Sequence, residues 1–270
     1  MRTSSYFQGK SVLVTGGSSG IGLAFARLIA SYGGQPILVA RRQNLLDEAR
    51  ATLDREHPQA KTETLALDVS SEDDVSGKLG AYLDKHPVDM LVNNAGVVMP
   101  GRFVDLPVAE FRRMMDINFM GTVLMTKVLA PHFIGQKRGH VLNVSSLAGV
   151  MGIYGYTAYA ASKFAVIGFS QALRAEMWPH NIRVSVCMPP DTDTPQLAME
   201  NEHKPAETKA IAGTVKTLSA DAVAQSMADG MAKGTFEIYP DMASRMVALG
   251  QGVLPGVARW VCDSAQRKVS

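Results

Sequence analysis

The chain of 270 residues has little cysteine, few aromatic residues and almost no excess charge. Its two cysteines, Cys187 and Cys262, lie far apart and without a histidine-rich segment nearby, so we expect neither a disulfide framework nor a zinc site. The lysines and arginines are dispersed, and a net charge of +2 argues against a nucleic-acid partner. The chain has 46% hydrophobic residues, which is enough to bury one sizeable core. The low cysteine content fits a reducing compartment.

The chain also lacks hydrophobic runs of the kind that targeting or membrane spanning needs. Residues 1–8 have no apolar core of a signal peptide, and we expect residues 1–9 to be a leader or disordered. Near the C-terminus, Arg245, Pro255 and Arg259 interrupt the apolar segment well before the roughly 18 to 20 residues that a span requires. We therefore expect a protein that is cytoplasmic, not secreted and without a transmembrane helix.

Seven apolar runs typical of strands recur along the chain, with amphipathic helical patterns between most of them. Strands joined by helical crossovers pair in parallel, with helices on both faces. This predicts an α/β fold of the Rossmann type, a doubly wound and mainly parallel seven-stranded sheet, as one domain over residues 10–240 with an apolar or amphipathic extension at 241–270. The seven runs are residues 11–15, 36–40, 63–67, 88–92, 139–144, 182–188 and 235–239.

A glycine-rich turn follows the first of these runs. Gly16, Gly20 and Gly22 are spaced Gly-x-x-x-Gly-x-Gly, one residue wider than the best-known dinucleotide fingerprint. A strand, tight turn and helix in this order let backbone N–H groups face a pyrophosphate, and glycine removes the Cβ atoms that would block it. A purely structural turn is the alternative, but the position at the start of an alternating βα pattern favours nucleotide binding.

Charged residues after the second and third strands bear on the choice of nucleotide. Arg41 and Arg42 stand where an NAD enzyme of this architecture would place an acidic residue for the ribose hydroxyls. A guanidinium pairs with a 2′-phosphate, so NADPH is favoured, the alternative being a solvated arginine. Asp68 either accepts from the adenine amino group or caps the next helix.

Three further positions indicate a catalytic site. Tyr159 and Lys163 are four residues apart, on one face of a predicted helix. An ammonium close to a phenol favours the phenolate and lowers a pKa that is otherwise about 10, although this spacing alone is common on ordinary helices. Asn118 lies in a long helical segment, where asparagine is a mediocre helix former, and hydration of an active site is one reason for its presence.

Taken in order, the motifs Gly-x-x-x-Gly-x-Gly, Asn-Asn-Ala-Gly, Ser-Ser and Tyr-x-x-x-Lys resemble the short-chain dehydrogenase/reductase family over about residues 10–195. The resemblance implies that Tyr159 protonates a carbonyl oxygen, and that Lys163 lowers its pKa and binds the nicotinamide ribose. Asn118 would hold a relay water. Ser146, thirteen residues before the tyrosine, would hydrogen-bond the substrate oxygen, and whether Ser145 shares that role is open. A homo-oligomer, dimer or tetramer, is implied by the same analogy.

The resemblance also implies a set of residues that hold NADPH or NADP+, drawn from the first turn, the strand ends and a proline-rich segment. They are Gly16, Ser18, Ser19, Gly20, Ile21, Gly22, Arg41, Arg42, Asp68, Val69, Asn94, Ala95, Gly96, Tyr159, Lys163, Pro189, Thr192 and Thr194. No metal site is expected.

The proline-rich segment narrows the expected substrate. Residues 189–195 read Pro-Pro-Asp-Thr-Asp-Thr-Pro where the family usually begins Pro-Gly, and Glu200-Asn and Lys204-Pro follow. This resembles the branch of the family that reduces the 3-keto group of long-chain sphingoid bases, which implies a keto-sphingoid substrate. Leu45 stands where that branch often has a further basic residue, and Arg42 is the compensating candidate. Residues 196–220 are polar and helical, which predicts a mobile lid.

Other functions stay open at this point. One is a reductase of another ketone or alcohol, such as a 3-ketoacyl thioester, a steroid or a small alcohol. A second is a redox sensor that binds NADP without catalysis, against which the intact set of Asn118, Ser146, Tyr159 and Lys163 argues. The C-terminal segment, with Trp260 and flanking arginines, either rests peripherally on a membrane or packs on the domain or on another subunit.

Overall fold

A seven-stranded parallel sheet forms the centre of the computed structural model, which describes residues 2–212 and 216–267. The strand order is β3-β2-β1-β4-β5-β6-β9, and every neighbouring pair is parallel. The expected α/β doubly wound fold is therefore confirmed. The strands are β1 (Ser11–Thr15), β2 (Gln35–Ala40), β3 (Glu63–Ala66), β4 (Met90–Asn93), β5 (Gly139–Val144), β6 (Ile182–Cys187) and β9 (Glu237–Ile238), while β7 (Thr192–Asp193) and β8 (Leu218–Ser219) form a separate small sheet.

Helices cover both faces of the main sheet, so its strands are apolar on both sides. One face packs on α2 and α11, and the opposite face packs on α7 and α8. The described helices are α1 (Thr3–Phe7), α2 (Gly20–Ser31), α3 (Gln43–Glu56), α4 (Glu72–Asp74), α5 (Gly80–Leu83), α6 (Val108–Met114), α7 (Gly121–Gln136), α8 (Thr157–Met177), α9 (Pro195–His203), α10 (Ala206–Ala212), α11 (Ala220–Lys233), α12 (Met242–Val253) and α13 (Pro255–Gln266). The described chain also has two π-helical segments, Val75–Leu79 and Met115–Met120, and two 3₁₀ turns, Leu147–Gly149 and Trp178–His180.

The N-terminal residues differ from the expected leader. Thr3–Phe7 is helical, and the Phe7 side chain is fully buried in the core beneath the first sheet face. Its ring meets Phe25 edge-on at 6.0 Å and stacks on Tyr32 at 6.3 Å. The expectation is wrong for these residues because an aromatic anchor holds even a helix of five residues against the domain.

The predicted lid and C-terminal extension are helical. The lid contains α9 and α10, and its residues 213–215 lie outside the described part of the chain. The extension consists of α12 and α13, which pack against each other, and α13 also packs against α10 of the lid. Residues 268–270 lie outside the described part as well.

One helical stretch, Val108–Gln136, is long and apolar enough to cross a membrane by length and composition, within the described residues. Its Met114, Met125, Leu129 and Phe133 side chains are fully buried, and the last three belong to the core on one face of the sheet. These contacts place the stretch in the core of the domain.

Candidate active site

The carboxyl ends of β1, β4, β5 and β6 open onto one cavity of about 600 Å³. Ligands of doubly wound sheets gather at this edge. The cavity is lined by most of the residues expected to hold the cofactor and by the serine, tyrosine and lysine that are predicted to be catalytic. These are Gly16, Ser19, Gly20, Ile21, Asn94, Ala95, Gly96, Ser146, Tyr159, Lys163, Pro189, Thr192 and Thr194.

The glycine-rich turn has the geometry that a pyrophosphate needs. Gly16 and Gly20 have φ of +66° and +54°, which a side chain would strain. A Cβ on Gly22 would lie 2.3 Å from the carbonyl oxygen of Gly16, so the turn can close this tightly only with glycine. Ser19 caps α2 without a side-chain hydrogen bond, and the first amides of the helix are left for a ligand. These residues fit a dinucleotide.

Asn94 joins the ends of β1 and β4 beside this turn. Its side-chain amide donates to the carbonyl oxygen of Thr15 at 3.0 Å, and the backbone amides of Asn94 and Ala95 donate to the Thr15 hydroxyl at 2.9 and 3.0 Å. A Cβ on Gly96 would come within 3.3 Å of Asn118 Oδ1 and 3.4 Å of Lys163 Nζ. The small residues therefore leave backbone on the cavity wall, as the motif predicts.

Asn118 lies in the π-helical segment between α6 and α7, beneath the cavity wall rather than on it. Its Oδ1 accepts from the amide of Val97 at 2.7 Å, and its Nδ2 donates to the carbonyl oxygen of Val97 and to the hydroxyl of Ser162, both at 2.9 Å. The side chain thus ties the loop after β4 to α8, and π-bulges of this kind are frequent at functional sites. Its role toward a relay water stays a prediction.

Tyr159 faces the cavity from α8, with Lys163 one turn further along. Burial raises the pKa of Tyr159, the charges of Glu200 and Asp191 raise it further, and a hydrogen bond with Ser146 opposes them. Lys163 Nζ lies 5.7 Å from the centroid of the phenol ring and donates to the carbonyl oxygen of Val144 at 3.0 Å. The lowering of this pKa by Lys163 stays a prediction, because burial and the two carboxylates act in the opposite direction in the structure.

Burial lowers the pKa of Lys163 itself to about 8. Its side chain is among the few buried charged groups of the described chain, and its ammonium keeps a carbonyl acceptor. A lysine with this pKa is mostly charged at neutral pH and loses its proton at a pH only slightly higher.

The two adjacent serines have different surroundings. Ser145 is buried, and its hydroxyl donates to the carbonyl oxygen of Lys163 at 2.9 Å, which fixes α8 against β5. The Ser146 hydroxyl oxygen accepts from the amide of Ala148 at 3.1 Å and reaches Tyr159. The Ser146 hydroxyl lines the cavity beside the phenol, whereas that of Ser145 is used by the backbone, so Ser146 is the better placed of the two to contact a substrate.

The remaining predicted cofactor residues lie outside the main cavity. Arg41 lines a second cavity together with Ser70 and the arginines of α6, Arg112 and Arg113. Asp68 accepts from the amide and hydroxyl of Ser70 at 3.0 and 2.7 Å. Ser71, rather than Asp68, caps α4, so capping by Asp68 is wrong and its adenine contact stays a prediction. Ser18, Gly22, Arg42 and Val69 line neither cavity.

Sequence reasoning gave no role at the site to four side chains that the fold brings near Tyr159. Tyr156, Asp191 and Glu200 line the same cavity as Tyr159, and Lys204 bridges the two carboxylates. The available signal was the spacing of Glu200 and Lys204, which is that of an i, i+4 ion pair on one helical face.

Comparison with known proteins agrees with this geometry. The family model described as short chain dehydrogenase matches residues 10–205. The chain belongs to the short-chain dehydrogenase/reductase family. It is therefore an oxidoreductase, and the family motif Tyr-x-x-x-Lys corresponds to Tyr159 and Lys163 on the cavity wall.

Individual members of the family are similar over most of the chain. A 3-ketodihydrosphingosine reductase from Bos taurus is 39% identical over 238 residues, covering 84% of this chain and 70% of that protein. A short-chain dehydrogenase/reductase from Burkholderia phymatum in complex with NAD is 25% identical, with a TM-score of 0.81 over 91% of this chain and 94% of that one. A short-chain dehydrogenase from Sphingobium yanoikuyae in complex with NADPH is 27% identical, with a TM-score of 0.78 over 92% and 94%. The family thus supports a nicotinamide cofactor without distinguishing its phosphate.

Proposed function

We propose that the protein reduces the 3-keto group of 3-ketodihydrosphingosine to dihydrosphingosine, with NADPH as the reductant, as a step of sphingolipid synthesis. The observation that carries the proposal is the coincidence of two features. The Bos taurus relative carries that activity in its name at 39% identity, and the cavity at Tyr159 continues into an apolar region suited to an alkyl chain.

The apolar region is formed by the C-terminal extension. Met246 and Val247 of α12, and Leu254, Val257 and Val261 at α13, line the cavity that holds Tyr159. A long-chain ketone can therefore place its reacting carbonyl at the sheet edge while its chain lies against these side chains. Burial of each CH₂ group contributes about 0.8 kcal/mol, so the chain length of the substrate affects binding strongly.

The side chains present can carry out the proton part of a reduction. Nicotinamide, when bound, supplies the hydride. Ser146 donates a hydrogen bond to the carbonyl oxygen and orients the ketone, and Tyr159 transfers its proton to that oxygen. Its raised pKa keeps Tyr159 protonated at neutral pH, the state that reduction of a ketone needs. Lys163 offsets the charge that develops on the phenol oxygen, and we expect Asn118 to hold a relay water.

Preference for NADPH is the less direct part of the proposal. Arg41 follows β2, and the second cavity gathers it with Arg112 and Arg113, while Asp116 is the acidic residue on its lining. Arg113 is paired with Glu110 at 2.7 Å, so Arg41 and Arg112 are the guanidinium groups that we propose for a phosphate in place of bare ribose hydroxyls. We expect Arg41→Glu to reduce kcat/KM for NADPH roughly ten- to hundredfold relative to NADH, since a charge-assisted hydrogen bond is lost and a repulsion gained.

We also make proposals on membrane contact, oligomeric state and cellular location. On α13, Trp260 is 67% exposed, and Arg259 lies beside it. An indole and a basic residue next to the cavity suit a headgroup boundary, from which a lipid substrate enters. We propose peripheral contact of this kind from the cytoplasmic side, testable by flotation with anionic vesicles. We also propose a homodimer or homotetramer, testable by sedimentation.

The first experiment is NADPH consumption with 3-ketodihydrosphingosine in detergent micelles, beside a water-soluble 3-ketoacyl thioester and repeated with NADH. Rapid turnover of the sphingoid ketone with NADPH preferred is the expected result. Turnover of the thioester alone would leave the oxidoreductase chemistry in place and would contradict the sphingoid substrate. Equal rates with NADH would contradict the cofactor preference.

A further inference from the structure

The lid and the segment before it form a partly buried ionic cluster at the wall of the cavity that holds Tyr159. Lys204 is almost fully buried, and its Nζ lies 2.8 Å from Asp191 Oδ2 and 3.0 Å from Glu200 Oε1. The Glu200 side chain is 10% exposed and accepts a hydrogen bond from the hydroxyl of Tyr156. The rings of Tyr156 and Tyr159 meet at 5.6 Å, so the cluster stands next to the proton donor.

The charges of this cluster do not balance. Asp191 and Glu200 bring two carboxylates and Lys204 a single ammonium, so one negative charge is left over beside an apolar cavity. Lys163 is the cation among the described residues that line the cavity, and it donates to the carbonyl oxygen of Val144 instead. Buried charges are costly unless they are paired, so a carboxylate in this position favours a ligand that brings a cation.

The proposed substrate carries such a cation next to its reacting group. In 3-ketodihydrosphingosine the amine is on C2, the carbon bonded to the carbonyl carbon. A ketone oxygen held by Ser146 and Tyr159 therefore places the ammonium close to the same tyrosine, on whose electrostatics Glu200 and Asp191 act directly.

We propose that Glu200, supported by Asp191, binds the ammonium of the substrate and selects 2-amino ketones over ketones without the amine. This inference rests on the proposed function and deepens it. Lys204 and Tyr156 are positioning residues, since each holds a Glu200 oxygen toward the cavity.

Binding of the ammonium has a second consequence at Tyr159. The two carboxylates raise the pKa of the phenol, and a cation bound between them and the substrate carbonyl offsets that effect. Tyr159 then becomes a stronger acid when the amino ketone is present. We therefore expect the selectivity in kcat as well as in KM.

The test compares two ketones of the same short, water-soluble chain length, one with the 2-amino group and one with hydrogen in its place. We expect the wild-type protein to prefer the amino ketone, and Glu200→Gln to reduce the ratio of the two kcat/KM values by about tenfold or more. Glu202→Gln is the matched control, because Glu202 lies on the same helix and is exposed. The control variant should keep the wild-type ratio.

Two outcomes would overturn the inference. The wild-type protein could reduce both ketones equally well, or Glu200→Gln could reduce kcat/KM for both by the same factor, which would mean that the cluster only positions the lid. Asp191→Asn is the second variant, measured in the same way, should Glu200→Gln fail to fold.

A binding measurement separates this inference from the proposed function. Short-chain dihydrosphingosine and its N-acetyl derivative are titrated onto the protein by calorimetry. Tighter binding of the free amine that is lost in Glu200→Gln supports the ammonium site even if the sphingoid ketone is not turned over. Equal affinities for the two compounds contradict the site, whatever the enzyme reduces.

Discussion

Neighbouring residues of one chemical type acquire different roles from the atoms that surround them. Ser145 and Ser146 are adjacent, yet the hydroxyl of Ser145 is used by the backbone of Lys163, while that of Ser146 faces the cavity. Tyr156 and Tyr159 also differ. The hydroxyl of Tyr156 donates to Glu200, while Tyr159 lines the cavity beside Ser146. At this scale the function of a side chain depends on which of its hydrogen-bonding groups the fold leaves available.

Replacing Tyr159 by phenylalanine removes the proton donor that we propose for the ketone while keeping the ring. We expect kcat to fall roughly 10²- to 10⁴-fold, the usual contribution of a general acid. The measurement is NADPH oxidation under saturating ketone. Tyr154→Phe is the control, since Tyr154 does not line the cavity. Undiminished turnover by Tyr159→Phe would remove the catalytic assignment.

Gly22→Ala tests the close approach in the nucleotide turn. The new methyl group would lie 2.3 Å from the Gly16 carbonyl oxygen, a backbone atom that cannot rotate away. We expect a loss of roughly 1–3 kcal/mol in the free energy of unfolding, together with weaker cofactor binding. Gly168→Ala on α8 meets nothing within 4 Å and should stabilise by about 0.5–1 kcal/mol. Urea unfolding of both variants decides, and similar midpoints would contradict the tight turn.

Secondary-structure elements differ in how far local sequence specifies them. β1 and α2 follow from an apolar run and a glycine turn, whereas α1 is a five-residue helix that no periodic pattern indicates. Isolated helices of that length are unstable in water, so tertiary contact must hold α1. Phe7 supplies it, which is why residues 3–7 belong to the domain.

Phe7→Ala measures the contribution of α1. The fully buried ring packs among Tyr6, Phe25 and Tyr32, and its removal leaves a cavity. We expect the free energy of unfolding to fall by about 3–5 kcal/mol. Phe103→Ala serves as the control, because that ring is 67% exposed and should cost little. A change of similar size in both variants would show that residues 3–7 are not part of the core.

At the scale of the whole molecule, the sheet brings distant segments to one edge and buries polar groups between its layers. His140 on β5 is a case of the second kind: Nδ1 is hydrogen-bonded to the hydroxyl of Tyr6 at 2.8 Å and Nε2 to that of Ser185 at 2.9 Å. The imidazole thus connects the N-terminal helix to β5 and β6. A second proton on the ring would remove the one nitrogen that accepts a hydrogen bond.

The stability of the whole domain should therefore depend on pH. Burial, assisted by the charge of Arg183, lowers the pKa of His140 to about 3 from the ordinary 6.5. The group is neutral when folded, so its stabilising effect is complete above pH 6.5 and is lost as pH falls, because the unfolded chain then binds a proton that the folded one does not. This contribution alone lowers the free energy of unfolding by about 2 kcal/mol at pH 5.

His140→Gln separates this contribution from other acid effects. Glutamine does not titrate in this range, so the loss of stability between pH 7 and pH 5 should be smaller in the variant by about 2 kcal/mol. His180→Gln, at an exposed position, should retain the wild-type dependence. Urea unfolding at the two pH values gives the comparison, and parallel behaviour of all three proteins would contradict the role of His140.

The resemblance to the family singled out Asn118, Ser146, Tyr159 and Lys163, whose roles stay predictions. The sequence by itself determined the class of fold and the turn at Gly16–Gly22. These depend on local spacing, since strand and helix periods, glycine positions and a one-turn separation can be read along the chain. The strand order and the identity of the family agree with that prediction.

Only the tertiary structure decided which groups surround the catalytic tyrosine. The raised pKa of Tyr159, the contact of Lys163 with Val144, and the cluster of Asp191, Glu200 and Lys204 join segments that are separated by up to 41 residues. Charges interact through space over distances that the order of residues does not specify, and burial sets the strength of that interaction. For the same reason the packing of Phe7 could not be predicted from its neighbours in the chain.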